Sequence, residues 1–361
     1  MARLLNEREK KMKLASRCIP TEILPYQNEE AATRMMAKLF EKAPSLAMLP
    51  VVSKDDNLIK RTLGNIPGVK IKDKKVVLKM DTTSYKNGIT KLDKAYNSPD
   101  LRTLEHFEIE SPFLEKYFQM IKKFNCPNAF VSLLGPFTIS QILNQAAEEQ
   151  VLTDKSFRKL FIQAVCVKAL WIIEKIKEVN PSTVPVIILE EPSLSNLGDL
   201  KRENEEVTIE LVTNLFAKVV EKLKAAGAYV GVQCMGKCDW KIPMAAGVDM
   251  ISFDAYNNPN NLCIMPDQVI EFVSRGGKIN WAIIPTISES VVKALNIDYV
   301  TNRLIATMEG LILAGVPEKF VYNSALVSIQ GSVENLPLIF AEKAIILSTQ
   351  LAKRIPVKAE D

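Results

Sequence analysis

Short apolar runs alternate with longer amphipathic stretches over most of the chain. Residues 129–134, 185–190, 229–233, 250–254, 279–284 and 320–324 are runs apolar on both faces, as strands covered on two sides must be. Helical stretches at 154–179, 204–226, 266–275, 297–314 and 332–353 separate or follow them. Strand and helix in alternation predict a parallel sheet covered by helices. Nearer the N-terminus a first buried strand is predicted to end near Thr21 and Glu22. Residues 29–41 then show helical apolar spacing with Met35, Met36, Leu39 and Phe40 inward, and a second strand follows at 46–51. The strand count reaches eight, which predicts an α/β chain folded as a closed (β/α)8 TIM-type barrel. No Gly-x-Gly-x-x-Gly follows the first strand, which removes the dinucleotide-binding reading of an open sheet.

Two additions to the barrel are expected. Residues 4–13 read as a polar helix outside the main body, within an N-terminal extension at 1–15 that serves as a lid or a homo-oligomer contact. Residues 68–82 read as a β-hairpin insertion, because Val69 to Leu78 alternates around a charged turn. Hydrophobic residues make up 47% of the chain and no Gly/Ser-rich linker divides it, so residues 1–361 are expected to form one domain. The net charge of +4 is small, and the basic clusters at Arg8, Lys10, Lys11 and Lys13 and at Lys70 to Lys79 lack aromatic interleaving. They read as solvated faces, with no nucleic-acid partner. The basic N-terminus has no apolar stretch after it and no window approaches the ~18 apolar residues of a membrane span, so no membrane association and a cytoplasmic location are expected. The six cysteines are dispersed along a large chain and are expected to be free thiols.

In a (β/α)8 barrel, chemistry gathers at the C-terminal strand ends. Here those ends bring Glu22, Pro50, Gly135-Pro136, Glu190-Glu191-Pro192, Gln233-Cys234-Met235, Asp254, Tyr256, Pro285-Thr286 and the stretch from Ser324 to Gln330. Three segments, Leu134-Gly135-Pro136-Phe137-Thr138, Leu189 to Leu194, and Gly231 to Trp240 with its continuation from Val248 to Tyr256, resemble the barrel of cobalamin-independent methionine synthases. The wider superfamily includes uroporphyrinogen decarboxylase and corrinoid-dependent methyltransferases. The resemblance spans about residues 18 to 350 and is similar to the short single-barrel branch.

That branch implies a zinc site, and this sequence departs from it systematically. Where the family's fifth strand resembles His-Cys-Cys-Gly-Asn-Thr-Asp-Trp, this chain has Gln233-Cys234-Met235-Gly236-Lys237-Cys238-Asp239-Trp240. The family's His, the Cys two places on, and a second Cys after the eighth strand correspond to Gln233, Met235 and Gln330. Zinc that holds a thiolate needs about four strong N, S or carboxylate ligands, and an amide or thioether is a poor substitute. No metal and no tightly bound cofactor are therefore expected. The chain's one histidine, His106, lies in a polar segment and reads as a surface residue. The family's Gly-Ser-Leu-Pro-His segment is altered to Glu22-Ile23-Leu24-Pro25-Tyr26, which places a carboxylate near the first strand.

The resemblance implies that the Glu191 position helps bind a substrate amino group, and Glu22, Gln233, Met235, Asp254, Tyr256 and Gln330 complete the expected substrate-binding set. A methyltransferase-like activity on a small molecule or a corrinoid-bound methyl group follows as the expected function. The alternative is a non-catalytic barrel that binds a ligand or partner through the same mouth. Decarboxylation of a porphyrin-type substrate is disfavoured because the chain lacks an early Arg cluster suited to several carboxylates. Double-barrel methionine synthases use an extra barrel to help bind folate polyglutamate, and 361 residues leave no room for one, so a methyl-corrinoid on a partner protein is the expected donor. Cys234 and Cys238 offer a Cys-x3-Cys pair that reads as ordinary buried thiols, in preference to a rewired metal site with Asp254 or Cys18, since this spacing across a strand-to-helix turn need not point both sulfurs the same way. Thr138 opens a helix whose free N–H groups suit an anion.

Overall fold

The computed structural model describes residues 12–72, 75–80, 82–147 and 151–359. A two-stranded antiparallel hairpin, β1 (Val69–Lys72) and β2 (Lys75–Leu78), stands apart from the main sheet with Val69 opposite Leu78. The expected hairpin is thus formed, with its tip at 73–74 outside the described residues. The main sheet is parallel and six-stranded, in the order β3 (Asn128–Leu134), β4 (Val184–Glu190), β5 (Tyr229–Cys234), β6 (Met250–Asp254), β7 (Lys278–Pro285) and β8 (Ala325–Gln330). Sequential order with helical crossovers is what right-handed β–α–β connections produce. It gives a curled, half-barrel sheet within a mixed α/β fold.

Two extended segments continue the hydrogen bonding beyond both edges. The Ile19 N–H donates to the Val327 carbonyl at 2.9 Å, and the Val327 N–H donates to that of Arg17 at 2.8 Å. Leu24 and Met48 N–H groups donate to the Met48 and Glu22 carbonyls at 3.0 and 2.6 Å. Leu46 and Phe130 N–H groups donate to the Phe130 and Pro44 carbonyls at 2.9 and 2.8 Å. All three resulting bridges, Cys18 with Val327, Ile23 with Met48 and Ser45 with Phe130, are parallel. The strand expected at 46–51 is therefore a bridged segment around 45–48, followed by a turn.

Helices at Glu29–Leu39, Lys155–Val179, Ile209–Ala225, Pro266–Ser274, Ile297–Leu313 and Leu338–Ala352 match the expected stretches to within a few residues. Asn28 caps the first by accepting from Ala31 N–H, and Met35 and Met36 point into the core. One strand is displaced. Residues 320–324, read from their apolar pattern as a strand, lie instead in a helix (Glu318–Ser324) after Pro317, and β8 starts at Ala325. Phe320 to Tyr322 and Ala325 to Val327 are two short apolar runs separated only by Asn323 and Ser324, and the strand forms from the second of them. The helix expected at 4–13 lies outside the described residues except for Met12 and Lys13, which are not helical. Asn128 holds this entry: its side chain accepts the Ala15 N–H at 2.8 Å and donates to the Lys13 carbonyl at 3.3 Å.

The two faces of each strand serve different cores. Val131, Leu133, Ile187, Leu189, Val232, Ile251 and Phe253 pack against the helices. Alternate residues on the concave face, Phe130, Val186, Ile188, Met250 and Leu326, join Ile19, Ala43 and Met12 in a separate apolar cluster. Period-two alternation thus fills the lower interior with apolar groups and leaves the next positions upward for polar ones. No described helix is long and apolar enough to cross a membrane.

Candidate functional site

Each strand of the main sheet contributes one polar residue on its concave face to a single hydrogen-bonded chain. Ser132 Oγ donates to Glu190 Oε1 at 3.3 Å, and Gln233 Nε2 donates to both Glu190 oxygens at 2.9 Å. Ser252 Oγ donates to Gln233 Oε1 at 2.9 Å. Asn280 Nδ2 donates to Ser252 Oγ at 2.8 Å and to Ser328 Oγ at 2.9 Å. The result is a continuous polar belt from β3 to β8 at the level where the strands end. Its members satisfy one another for the most part, as buried polar groups must, with the Asn280 Oδ1 left without a partner among the described residues.

Along the belt runs a cavity of about 220 Å³, lined by Glu22, Met48, Ser132, Glu190, Gln233 and Met235 and reaching down to Phe130, Ile188 and Met250. A second cavity of about 300 Å³ opens at the opposite end, beside Gly277, Lys278, Lys319 and Asn323. Although larger, it lies at the strand starts, where Lys278 Nζ donates to the Asn323 carbonyl at 2.9 Å. The smaller cavity has the position at which parallel α/β folds place their chemistry.

Two carboxyl groups and one guanidinium set the electrostatics of the smaller cavity. Arg61, on helix Leu58–Leu63, has a fully buried side chain and pairs with Glu22 at 2.9 Å. It also donates to the Ala47 carbonyl at 3.3 Å and lies 4.0 Å from Asp56. Asp56 Oδ2 in turn accepts the Leu49 N–H at 2.7 Å. Burial holds the Glu22 carboxyl above its usual range, against the opposing pull of Arg61. Burial and then the neighbouring Glu22 push Glu190 up to about 8, against the donors of Gln233 and Ser132. At neutral pH Glu190 holds a proton for most of the time and ionises on small changes of environment.

Glu191, the next residue, faces the other way. It is fully buried and receives the Phe137 N–H at 2.9 Å, the Thr138 N–H at 2.7 Å and the Thr138 hydroxyl at 2.7 Å. The free N–H groups at the start of helix Pro136–Ala147 are therefore capped by a carboxyl group from within the chain. Burial raises the Glu191 carboxyl to about 8 in spite of these donors. Gly135 makes the approach feasible, because a Cβ there would lie 2.1 Å from Glu191 Oε1.

The structure brings Glu22, Gln233 and Met235 together at the cavity wall. Asp254 and Gln330 form a neighbouring pair, Gln330 Nε2 donating to Asp254 Oδ2 at 3.0 Å, and Asp254 also accepts the Asn257 N–H and side-chain amide at 2.9 and 2.8 Å. Tyr256 sits farther out, half-buried, with Arg303 stacked 5.1 Å from its ring centroid. Cys18 is remote from the strand ends and donates to Ser348 Oγ at 3.3 Å. Among the described residues no three His, Cys, Asp or Glu side chains are grouped to hold a metal ion, and His106 is exposed. Asp239 Oδ1 accepts the Lys241 N–H at 3.1 Å, a local turn bond just ahead of helix Lys241–Ala245.

Sequence reasoning carried neither Arg61 nor Ser132 to the site, and it named Glu190 only as a strand-end acid. A signal for two of them was present: Ser132, Glu190, Gln233, Ser252, Asn280 and Ser328 are each a polar residue within or closing an apolar strand. Arg61 has no such signal, since an arginine on a six-residue helix reads as solvated.

The raised carboxyls set a pH dependence of stability. The native state binds more protons than the unfolded chain between the ordinary glutamate value of 4.5 and about 8 at Glu190 and Glu191, so stability declines as pH rises through that interval. Lys168, buried in helix Lys155–Val179 and donating to the Glu108 carbonyl at 2.7 Å, is lowered to about 7 by burial and adds an opposing rise only above that pH. The thermal midpoint is therefore expected to fall from pH 5 to pH 7, and Glu190→Gln is expected to flatten the fall. Melting curves across this range check it; an equal slope in the variant rules it out.

No family model matches the chain, and no curated protein matches it. Among solved structures, the X-ray structure of chitobiase from Flavobacterium johnsoniae aligns over 74% of this chain and 50% of that one, with 11% identity and a TM-score of 0.29. This chain thus spans half the length of that structure, and a likeness of that degree carries no argument about fold or activity.

Proposed function

We propose that the segments around 18–23 and 45–48 stand as the first two strands of a (β/α)8 barrel, and that its mouth binds a small amine-bearing molecule for methyl transfer without zinc. Support for the barrel comes from the parallel bridges that lead from β8 through both segments to β3. The ligand reading is carried by one observation: Glu190, held by Ser132 and Gln233, lines the cavity beside the Glu22–Arg61 pair. A cationic amine beside Glu190 would favour its ionised form and displace its proton. Methyl transfer rests on the resemblance of the strand-end segments.

The cavity volume of about 220 Å³ falls below the roughly 300–1,000 Å³ of drug-sized ligand sites, which favours a substrate of amino-acid size. A corrinoid ring does not fit within it, so the proposed donor is a methyl-corrinoid on a partner protein docked at the rim. Asp254, Gln330 and Tyr256 shape that rim, and Glu191 secures the helix behind Glu190. A second reading, a barrel that binds without turnover, is favoured by the full engagement of the Gln233 amide within the belt.

Titration calorimetry with a panel of small amines and amino acids tests the ligand reading. Affinity is expected to rise by about tenfold per pH unit from pH 6 and to level off near the Glu190 value of about 8. Glu190→Gln is expected to weaken binding by at least about tenfold and to remove this dependence. Binding that is indifferent to both pH and the variant overturns it. Loss of the methyl group from a methyl-corrinoid protein supports catalysis, and binding without that loss supports the second reading.

Elemental analysis of the purified protein is expected to find far less than one zinc per chain. About one zinc, lost in Cys234→Ser, would establish a rewired site instead.

A further inference from the structure

We infer, on the reading of Glu190 as the partner of an amine, that the cavity at the strand ends takes a monoamine with an apolar tail and no carboxylate, the tail lying down the concave face of the sheet. Charge decides the head of this ligand. The described residues that line the cavity include two acids, Glu22 and Glu190, and no lysine, arginine or histidine. Arg61 stands behind Glu22 with its side chain closed to water, one nitrogen donating to Glu22 Oε2 at 2.9 Å and another to the Ala47 carbonyl at 3.3 Å. It balances Glu22 and is out of reach of a ligand. Gln233 Nε2 already donates to both oxygens of Glu190. One acid is thus left to meet one ammonium. A ligand carboxylate in the same space would face the Glu22 carboxyl with hydroxyl groups but no cation beside it, and a carboxylate taken out of water on those terms is strongly penalised.

Depth decides the tail. On the concave face Glu190 pairs with Gln233 and Gln233 with Ser252, and two residues lower Ile188 pairs with Gly231 and Gly231 with Met250. Two residues of strand rise by roughly 6–7 Å, the reach of a short alkyl chain, so apolar surface begins where such a chain would end. Gly231 leaves its own place to the neighbouring side chains: a Cβ there would lie 2.7 Å from Met250 Cε and 2.9 Å from Ile188 Cδ1. Phe130 joins Ile188 and Met250 both in the apolar cluster and in the cavity wall. A second ammonium at the far end of the tail, as in a diamine, would therefore be buried among apolar groups without an acid.

Titration calorimetry of the full chain at pH 8 with isoamylamine, leucine, cadaverine and isoamyl alcohol tests this. Isoamylamine, which is leucine without its carboxylate, is expected to bind at least about tenfold more tightly than leucine or cadaverine. The alcohol is expected to bind at least about tenfold more weakly than the amine. From ethylamine through propylamine to butylamine, affinity is expected to rise roughly fourfold per methylene. Leucine or cadaverine binding as tightly as isoamylamine, or a flat alkylamine series, overturns the inference and leaves the amine reading standing. An alcohol that binds as tightly as the amine, or no binding by any of the four, overturns both.

Discussion

Gly135→Ala is expected to destabilise the protein by about 4 kcal/mol, within the range of the severe single-site effects that follow from buried clashes and lost polar partners. The added Cβ would lie 2.1 Å from Glu191 Oε1, 2.4 Å from its Cδ and 2.6 Å from its Cγ. A flexible carboxylate at a surface would move aside at small cost. Glu191 lacks that freedom, because it is fully buried and all three of its bonds go to the start of one helix. Displacing it leaves a buried carboxyl and two helix N–H groups without partners, at about 1–3 kcal/mol for each unsatisfied group. Denaturant midpoints measure the loss, and a change below about 1 kcal/mol contradicts the account. Gly135→Ala combined with Glu191→Ala is expected to cost less than the sum of the single variants, since the clash vanishes with the carboxylate.

Arg61→Met is the second large effect, about 3–5 kcal/mol at neutral pH. The arginine is the cation shared by two acids, Glu22 at 2.9 Å and Asp56 at 4.0 Å, and its side chain has no exposure to water. Removing it leaves Glu22 to be ionised without compensation or to take up a proton, and either outcome disturbs the cavity beside Glu190. The sign with pH follows. Protonation of the orphaned acids relieves the penalty, so the destabilisation is expected to shrink as pH falls toward 5. Arg61→Lys is expected to recover only part of the loss, because an ammonium cannot serve Glu22 and the Ala47 carbonyl with the spread of a guanidinium. Chemical denaturation of the three proteins at pH 5 and pH 7.5 tests this, and equal losses at both values would count against it.

Local patterning made much of the fold legible. Strands buried on two faces leave continuous apolar runs, and β3, β4, β5, β6 and β7 lie where those runs predicted them. The helices over 155–179 and 297–313 were visible as long apolar-rich stretches without Gly or Pro clusters, and the structure caps them with Asp154 and Asn296. The start of β8 was not visible, because helix Glu318–Ser324 and the strand each carry a short apolar run, at 320–322 and 325–327, and either could be read as the strand. Their boundary depends on which groups the neighbouring strand β7 pairs with.

The candidate site divides along the same line. Strand-end chemistry is local, so Glu22, Gln233, Met235, Asp254 and Gln330 could be named from the chain alone as residues that end or follow strands. Which of two adjacent glutamates meets the cavity was decided only by the pleat: Glu190 continues the concave face of Val186 and Ile188, and Glu191 turns outward to the helix at Pro136. The sequence by itself determined the alternation of buried strands and helices, because this is a property of residues and their spacing. Only the tertiary structure decided that Arg61 reaches Glu22 from 39 positions away and that one polar residue per strand joins into a belt. Those contacts exist because the strands align in register and exclude water, and no segment taken alone contains that condition.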